Sequence, residues 1–255
     1  MATDMIMLSE HVYGGPNAKL PEGWDAVSLE ELKKLGLNIS AFSDPDSGFN
    51  AQLYKNKDGK YVLIFEGTKM KSLKDWRTNV EQGLGKETEQ YNKAMELSIL
   101  VSDAVEPENL TLGGHSLGGG LASAGAAATG CDTYTYNPAG LHPKTVERAG
   151  YSMENTSHVQ SFYSQNDILN MGQDNREIIG GGTTMLSPKT GRGILLGDDL
   201  PRAAGQRIGI DTGVFTDPIT GHGIGEGKSG LLETLKNERD SLPPSGMVKI
   251  YADEK

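Results

Sequence analysis

The apolar run Leu110-Thr111-Leu112 leads into Gly114-His115-Ser116-Leu117-Gly118, which leads into Leu121-Ala122-Ser123-Ala124-Gly125-Ala126-Ala127-Ala128. A short extended stretch, a Gly-x-Ser-x-Gly turn and a helix of small residues form a strand–turn–helix unit. In such a unit a serine sits on a sharp, strained corner. Glycines on either side of the corner let strand and helix approach closely. The Ser116 hydroxyl is therefore expected to stand exposed at the edge of a sheet. The positive end of the following helix would face an oxyanion forming beside it. A corner of this kind implies acyl transfer through a serine ester.

Other local patterns extend the reading to an α/β chain. Thr3 is placed to cap a first helix that reaches about Val12, with Met5, Leu8 and Val12 near one face. Residues 49–54 and 61–65 read as two strands around Lys57-Asp58-Gly59, a hairpin signal. Asp75 opens a short helical stretch, and residues 87–105 carry helical spacing through Tyr91, Ala94, Met95, Val101 and Val105. Strands are expected at 133–136 and 158–163, and helices at 144–149 and 231–242. Between about 168 and 221 the pattern dissolves into Gly, Pro, Asp and Thr. That is too long for an ordinary connection, so it reads as a lid, a binding loop or a subdomain. Alternating strands and helices argue for a mostly parallel sheet with helices on both faces, preceded by a β-hairpin. A chain of 255 residues fits one such domain, 1–255, with the irregular region at about 170–220.

A serine hydroxyl becomes a good nucleophile only when a base removes its proton, and that base is usually a histidine oriented by a carboxylate. The chain holds five histidines. His11 lies in the first helix, His115 sits inside the corner, His142 precedes Pro143 and His158 begins a strand. On an α/β-hydrolase sheet the partners follow in the order Ser, acid, His. Among the histidines after Ser116, His222 leaves room for a strand and an acid before it. Asp167 falls just past the strand at 158–163, where loops of open α/β sheets carry ligand and catalytic groups. Asp167 is the favoured acid over a reading as a cap or turn residue, with Asp198, Asp199 and Asp211 in reserve. For the oxyanion, the backbone N–H of Leu117 is one expected donor and that of Thr68, after Phe65-Glu66-Gly67, the other. The chemistry requires no cofactor and no metal.

These segments resemble a known family. Leu63-Ile64-Phe65-Glu66-Gly67-Thr68, Asp75-Trp76-Arg77-Thr78-Asn79 and Gly114-His115-Ser116-Leu117-Gly118-Gly119 are similar to the three signature segments of class 3 (fungal-type) lipases. Asn79-Val80-Glu81-Gln82-Gly83-Leu84-Gly85 and Tyr136-Asn137-Pro138-Ala139-Gly140-Leu141-His142 resemble segments of bacterial lipase-like proteins. Those proteins include phospholipase effectors of type VI secretion systems. The likeness spans about residues 5–170 and resumes near 220, with Glu66 standing where the family usually has Arg. It implies an α/β-hydrolase fold with Ser116, Asp167 and His222 as triad, and Thr68 and Leu117 as oxyanion donors. It further implies a lipid substrate, phospholipid before acylglycerol, contact with a membrane surface, and, for an antibacterial effector, a partner immunity protein.

The competing readings are a carboxylesterase acting on small soluble esters and a non-catalytic binding protein on a hydrolase fold. Trp76 reads as a packing residue, Asp75 as a helix cap and Cys131 as a small buried apolar side chain. The run His222 to Ser229 is one residue from a phosphate-binding Gly-x-x-x-x-Gly-Lys-Ser loop, but it starts with His and follows no apolar strand. With 34 acidic and 24 basic residues the net charge is −10, which argues against nucleic acid as a partner. One cysteine excludes an internal disulfide. The N-terminal residues lack a basic region followed by an apolar core, so the expected location is the cytoplasm of the producing cell, with a leaderless route into a target cell as the extension.

Overall fold

The computed structural model describes residues 2–14, 18–67, 73–164, 185–186, 193–194, 201–210 and 251–252, with backbone alone for 73–88 and for the three isolated pairs. Helix α1 (Ala2–His11) opens the chain, followed by β1 (Trp24–Ala26), α2 (Leu29–Lys34) and β2 (Ser43–Asp44). Strands β3 (Phe49–Asn56) and β4 (Tyr61–Phe65) precede the long helix α3 (Leu73–Val105). Next come β5 (Leu110–His115), α4 (Leu117–Thr129), β6 (Thr133–Tyr136), α5 (Pro143–Arg148) and β7 (Val159–Ser164). The series ends with β8 (Met185–Leu186), β9 (Gly193–Ile194), β10 (Gln206–Ile210) and β11 (Tyr251–Ala252).

The main sheet has the order β1-β3-β4-β5-β6-β7-β10-β11, with β2 paired to β3. Strands β4, β5, β6, β7 and β10 run parallel to one another, whereas β1 and β2 pair antiparallel with β3, β3 with β4, and β11 with β10. The expected hairpin is present: β3 pairs with β4 from Ala51–Phe65 to Lys55–Tyr61. Its turn is held by the Asn56 carboxamide, which accepts from the Asp58 and Lys60 amides. This is the mixed, mostly parallel sheet that the alternating pattern implied, in the α/β-hydrolase arrangement that the resemblance implied.

Strand β4 shows why the middle of the sheet reads as an unbroken apolar run. Val62 and Ile64 enter a cluster with Met5, Ile6 and Leu8 of α1, Tyr54 of β3 and Tyr136 of β6. Leu63 and Phe65 enter the opposite cluster, with Met95, Leu97 and Val101 of α3 and Leu121 and Ala124 of α4. Successive side chains alternate faces, so a strand covered on both faces must be apolar throughout. Met5, Ile6 and Leu8 are completely buried, and each contributes about 1.5–3 kcal/mol relative to exposure. Helix α1 is therefore structural cover for one face rather than a loose N-terminal arm.

Four features depart from the sequence reading. Helix α1 begins at Ala2, so Thr3 lies inside its first turn rather than capping it. The helical stretches expected after Asp75 and over 87–105 are one helix of 33 residues, α3, which runs through Gly83 and Gly85. The region near 170–220 is not uniformly irregular, because Gln206–Ile210 forms β10 and pairs in parallel with β7 over its whole length. Helix α2 was not foreseen, although Ser28 and Glu31 form a complete capping box at its start. Cys131 is buried as expected, with its Sγ 3.8 Å from the Pro107 carbonyl. The helix expected at 231–242 lies outside the described residues.

Candidate active site

Strand β5 ends at His115 and α4 begins at Leu117, so Ser116 alone makes the corner. Its backbone has φ 57° and ψ −126°, a conformation that costs an L-residue about 1–3 kcal/mol. The surrounding structure holds it there. The Ser116 N–H donates to the Tyr136 carbonyl (3.0 Å), and the Ser116 carbonyl accepts from Gly119 (3.0 Å), Gly120 (3.2 Å) and Ala139 (2.9 Å). Two of these partners are helical amides of α4, and two come from the end of β6 and the loop after it.

The glycines on either side serve close approach. A Cβ on Gly114 would lie 2.3 Å from the Gly118 carbonyl oxygen, and one on Gly118 would lie 2.1 Å from the Phe65 carbonyl oxygen. The first closure lets the strand fold back on its own helix. The second brings the end of β4, which leads toward Thr68, against the first turn of α4. Leu117 is the first helical residue, so its N–H has no acceptor within the helix and belongs to the positive end of the helix dipole. Ser116 itself is 4 % exposed, not the open hydroxyl expected of a strand edge. Tying the corner to β6 and to the following loop encloses it.

The sequence-derived partners differ in what the structure describes. Ser116 and Leu117 are placed together at the corner. Thr68, Asp167, His222 and the alternative acids Asp198, Asp199 and Asp211 lie outside the described residues, as do the side chains of Asp75 and Trp76. Gly67, which precedes Thr68, and Ser164, three residues before Asp167, are described. Gly67 packs against the corner: its Cβ would stand 2.6 Å from the His115 carbonyl and 3.2 Å from the Gly118 nitrogen. Strand β7 ends at Ser164 beside the end of β6, where the Ser164 N–H donates to the Asn137 carboxamide (2.9 Å). The chain thus leaves β7 on the carboxyl edge of the sheet, the edge that carries Ser116. Two of the other described histidines have partners of their own. His142 caps α5 through Nδ1 (3.1 Å from the Lys144 N–H), and His158 lies 3.6 Å from Asp132.

Three residues of this neighbourhood escaped the sequence reading. Asn137 has φ 42°, is fully buried, and ties β6 to β7 by donating its N–H to the Phe162 carbonyl as well as accepting from Ser164. Ala139 holds the Ser116 carbonyl. Both fall in the segment 136–142 that carried part of the family resemblance, and the structure gives that segment a scaffolding role. The third is Tyr13, just beyond α1. Its hydroxyl accepts from the Gly67 N–H (3.1 Å), and burial together with the nearby Glu66 carboxylate pushes its phenol well above the usual tyrosine range. Glu66 accepts from the Asn50 side-chain amide at 2.6 Å, so the acidic residue in place of the family's Arg is bound locally. Among the described residues, no group of His, Cys, Asp and Glu is arranged to hold a metal ion.

A family model described as a phospholipase-like, Tle-like phospholipase domain matches residues 4–211. The chain belongs to the Tle-like phospholipase domain family. The match spans the corner, the hairpin and β10, and its bounds contain the segments on which the resemblance to class 3 lipases rests. The extracellular phospholipase A1 of Serratia liquefaciens is 33 % identical over 181 residues, which is 69 % of this chain and 55 % of the relative. The chain therefore spans about half the length of that relative. Among solved structures, a triacylglycerol lipase from Penicillium expansum is 12 % identical, covers 83 % of this chain and 78 % of its own, and has a TM-score of 0.45. The Rhizomucor miehei lipase propeptide complex is 14 % identical over 76 % of this chain and 73 % of its own, with a TM-score of 0.38. Among the described residues, no helix of this Tle-like domain is long and apolar enough to cross a membrane.

Proposed function

We propose that the chain is a serine phospholipase of the A type, cleaving a carboxylic ester of a glycerophospholipid through an acyl-Ser116 intermediate. The observation that carries this reading is the strained Ser116 corner at the N-terminus of α4, in a chain matched by a phospholipase family over residues 4–211. In the proposed cycle His222 takes the Ser116 proton as Oγ attacks the ester carbonyl, and Asp167 holds the imidazole in the required tautomer and stabilises its charged form. The N–H groups of Leu117 and Thr68 bind the tetrahedral oxyanion. His222 then gives its proton to the departing glycerol oxygen. Water, deprotonated by His222, releases the fatty acid from Ser116. The relative's description as a phospholipase A1 supports the sn-1 ester as the preferred bond.

Contact with a membrane surface follows from the substrate. Because the net charge is −10, that contact rests on apolar rather than basic groups. Delivery from the cytoplasm of a producing cell into a rival's envelope, with an immunity protein to protect the producer, is the setting that the effector-like segments suggest. The test is fatty-acid release from palmitoyl-oleoyl phosphatidylethanolamine vesicles, resolved by mass spectrometry, for the native protein beside Ser116→Ala. Palmitate release that vanishes in the variant is expected. Activity confined to short soluble esters would instead make the chain a carboxylesterase, and no covalent labelling by a fluorophosphonate would make it a non-catalytic binder.

A further inference from the structure

We propose that Tyr13 is a positioning residue of the oxyanion site, tying the loop after β4 to the corner that carries Ser116. The proposal rests on the serine-hydrolase reading above. One phenol hydroxyl reaches both sides of the site. It accepts from the Gly67 N–H (3.1 Å), donates to the His115 carbonyl (3.3 Å), and lies 3.2 Å from His115 Nδ1. A phenol offers one proton and two lone pairs. With either His115 tautomer, the hydroxyl's bonds go to Gly67 and to His115, the residue before Ser116. The two rings meet edge to face at 6.0 Å, which fixes the imidazole as well.

The anchorage behind Tyr13 is rigid. Tyr13 follows α1 in a turn closed by Val12 N–H to Leu8 and Gly14 N–H to His11, and α1 is held by Met5, Ile6 and Leu8, all fully buried. What it anchors is placed to matter. Gly67 directly precedes the residue proposed as second oxyanion donor, and it packs against Gly118 in the first turn of α4, whose leading amide is the first donor. An oxyanion site works by pre-set distances, so a tie across its two halves acts on the rate and not on substrate affinity. Without the hydroxyl, the Gly67 N–H and the His115 carbonyl lose a shared partner, and the gap between the halves is set by packing alone.

The test compares the full chain with Tyr13→Phe, measuring kcat and KM for p-nitrophenyl butyrate per fluorophosphonate-titrated site. Expected is a fall in kcat of about 10- to 100-fold, a KM within about threefold and an unmoved pH profile, because the base is untouched. Tyr54→Phe is the control. Tyr54 bonds His11 Nδ1 (2.9 Å), close to the same end of α1, and is not one of the residues that Tyr13 ties, so its kcat should stay within about twofold. A second variant, Gly67→Ala, brings a Cβ to 2.4 Å from the Tyr13 hydroxyl and 2.6 Å from the His115 carbonyl. It should reproduce the kcat loss, and the double variant should lose no more than the worse single one. A Tyr13→Phe protein with wild-type kcat per titrated site, a loss appearing only in KM, or fully multiplicative losses in the double variant would each overturn the proposal. Native protein no faster than Ser116→Ala would instead overturn the hydrolase reading, and it would do so before any Tyr13 comparison is made.

Discussion

Gly118→Ala is the sharpest probe of how the corner is built. The added Cβ would sit 2.1 Å from the Phe65 carbonyl oxygen and 2.9 Å from its carbon, both backbone atoms of β4 that no side-chain rotation can clear. To reach ordinary van der Waals contact, β4 and the first turn of α4 must separate by about 1.3 Å. Both are tied elsewhere: β4 is paired with β3 and β5, and the corner is bonded to Tyr136 and Ala139. The strain belongs at the upper end of the overpacking range, about 3 kcal/mol. For a chain of this size that corresponds to a Tm lower by roughly 6–12 °C. The same separation pulls the Leu117 amide away from the loop leading to Thr68. A misplacement of about 1 Å in such a site costs on the order of 100-fold in rate. The assay is calorimetric Tm together with kcat per fluorophosphonate-titrated site. Gly130→Ala is the matched control. Gly130 ends α4 at φ 72° with nothing within 4 Å of an added Cβ, so the change costs about 1 kcal/mol and leaves kcat intact. A Gly118→Ala protein with wild-type kcat and a Tm within about 2 °C of native would refute the reasoning.

Further outcomes follow from the same geometry. Ser116→Gly should abolish turnover yet raise Tm by about 2–4 °C, because glycine adopts φ 57° without about 1 kcal/mol of the strain; calorimetry checks it. Asn137→Ala, which leaves the buried Ser164 N–H without its carboxamide acceptor, should cost about 1–3 kcal/mol in urea unfolding and lower kcat. His11 is held below its ordinary pKa by burial, so the folded protein binds its proton less readily than the unfolded chain. Its contribution to stability is therefore full above about pH 6.5 and is lost as pH falls through the depressed folded value. A Tm series from pH 7.5 downward should show that loss, and His11→Gln should flatten it.

Much of the fold was legible because its signals are local. The β3–β4 hairpin, β6 and the β5–α4 corner each declare themselves within a few residues, through a turn glycine, an alternation of Thr and Tyr, and a small-residue helix. Helix α3 was split in the reading because Gly83 and Gly85 interrupt its pattern; in the structure the helix continues through both. Strand β10 was missed because five residues with only Ile208 and Ile210 in alternation make a weak signal. Its register with β7, Gln206 beside Gln160 through Ile210 beside Ser164, is set by tertiary pairing. Helix α2 carries a local signal as well, because the Ser28–Glu31 capping box is visible in the sequence. At the site, Ser116 was legible because strand, turn and helix are contiguous. Tyr13 was not, because its partners Gly67 and His115 lie 54 and 102 residues away.

The central claim is that a bond forms between Ser116 Oγ and a lipid acyl group. The most direct measurement is acid-quenched mixing of the protein with palmitoyl-oleoyl phosphatidylethanolamine vesicles, followed by digestion and mass spectrometry of the peptide that contains Ser116. The account predicts a palmitoyl ester on Ser116 that forms within the first turnovers, decays as substrate is consumed and is absent in Ser116→Ala. Fatty acid released at the native rate with no acyl group on that peptide, and at an equal rate by Ser116→Ala, would contradict it.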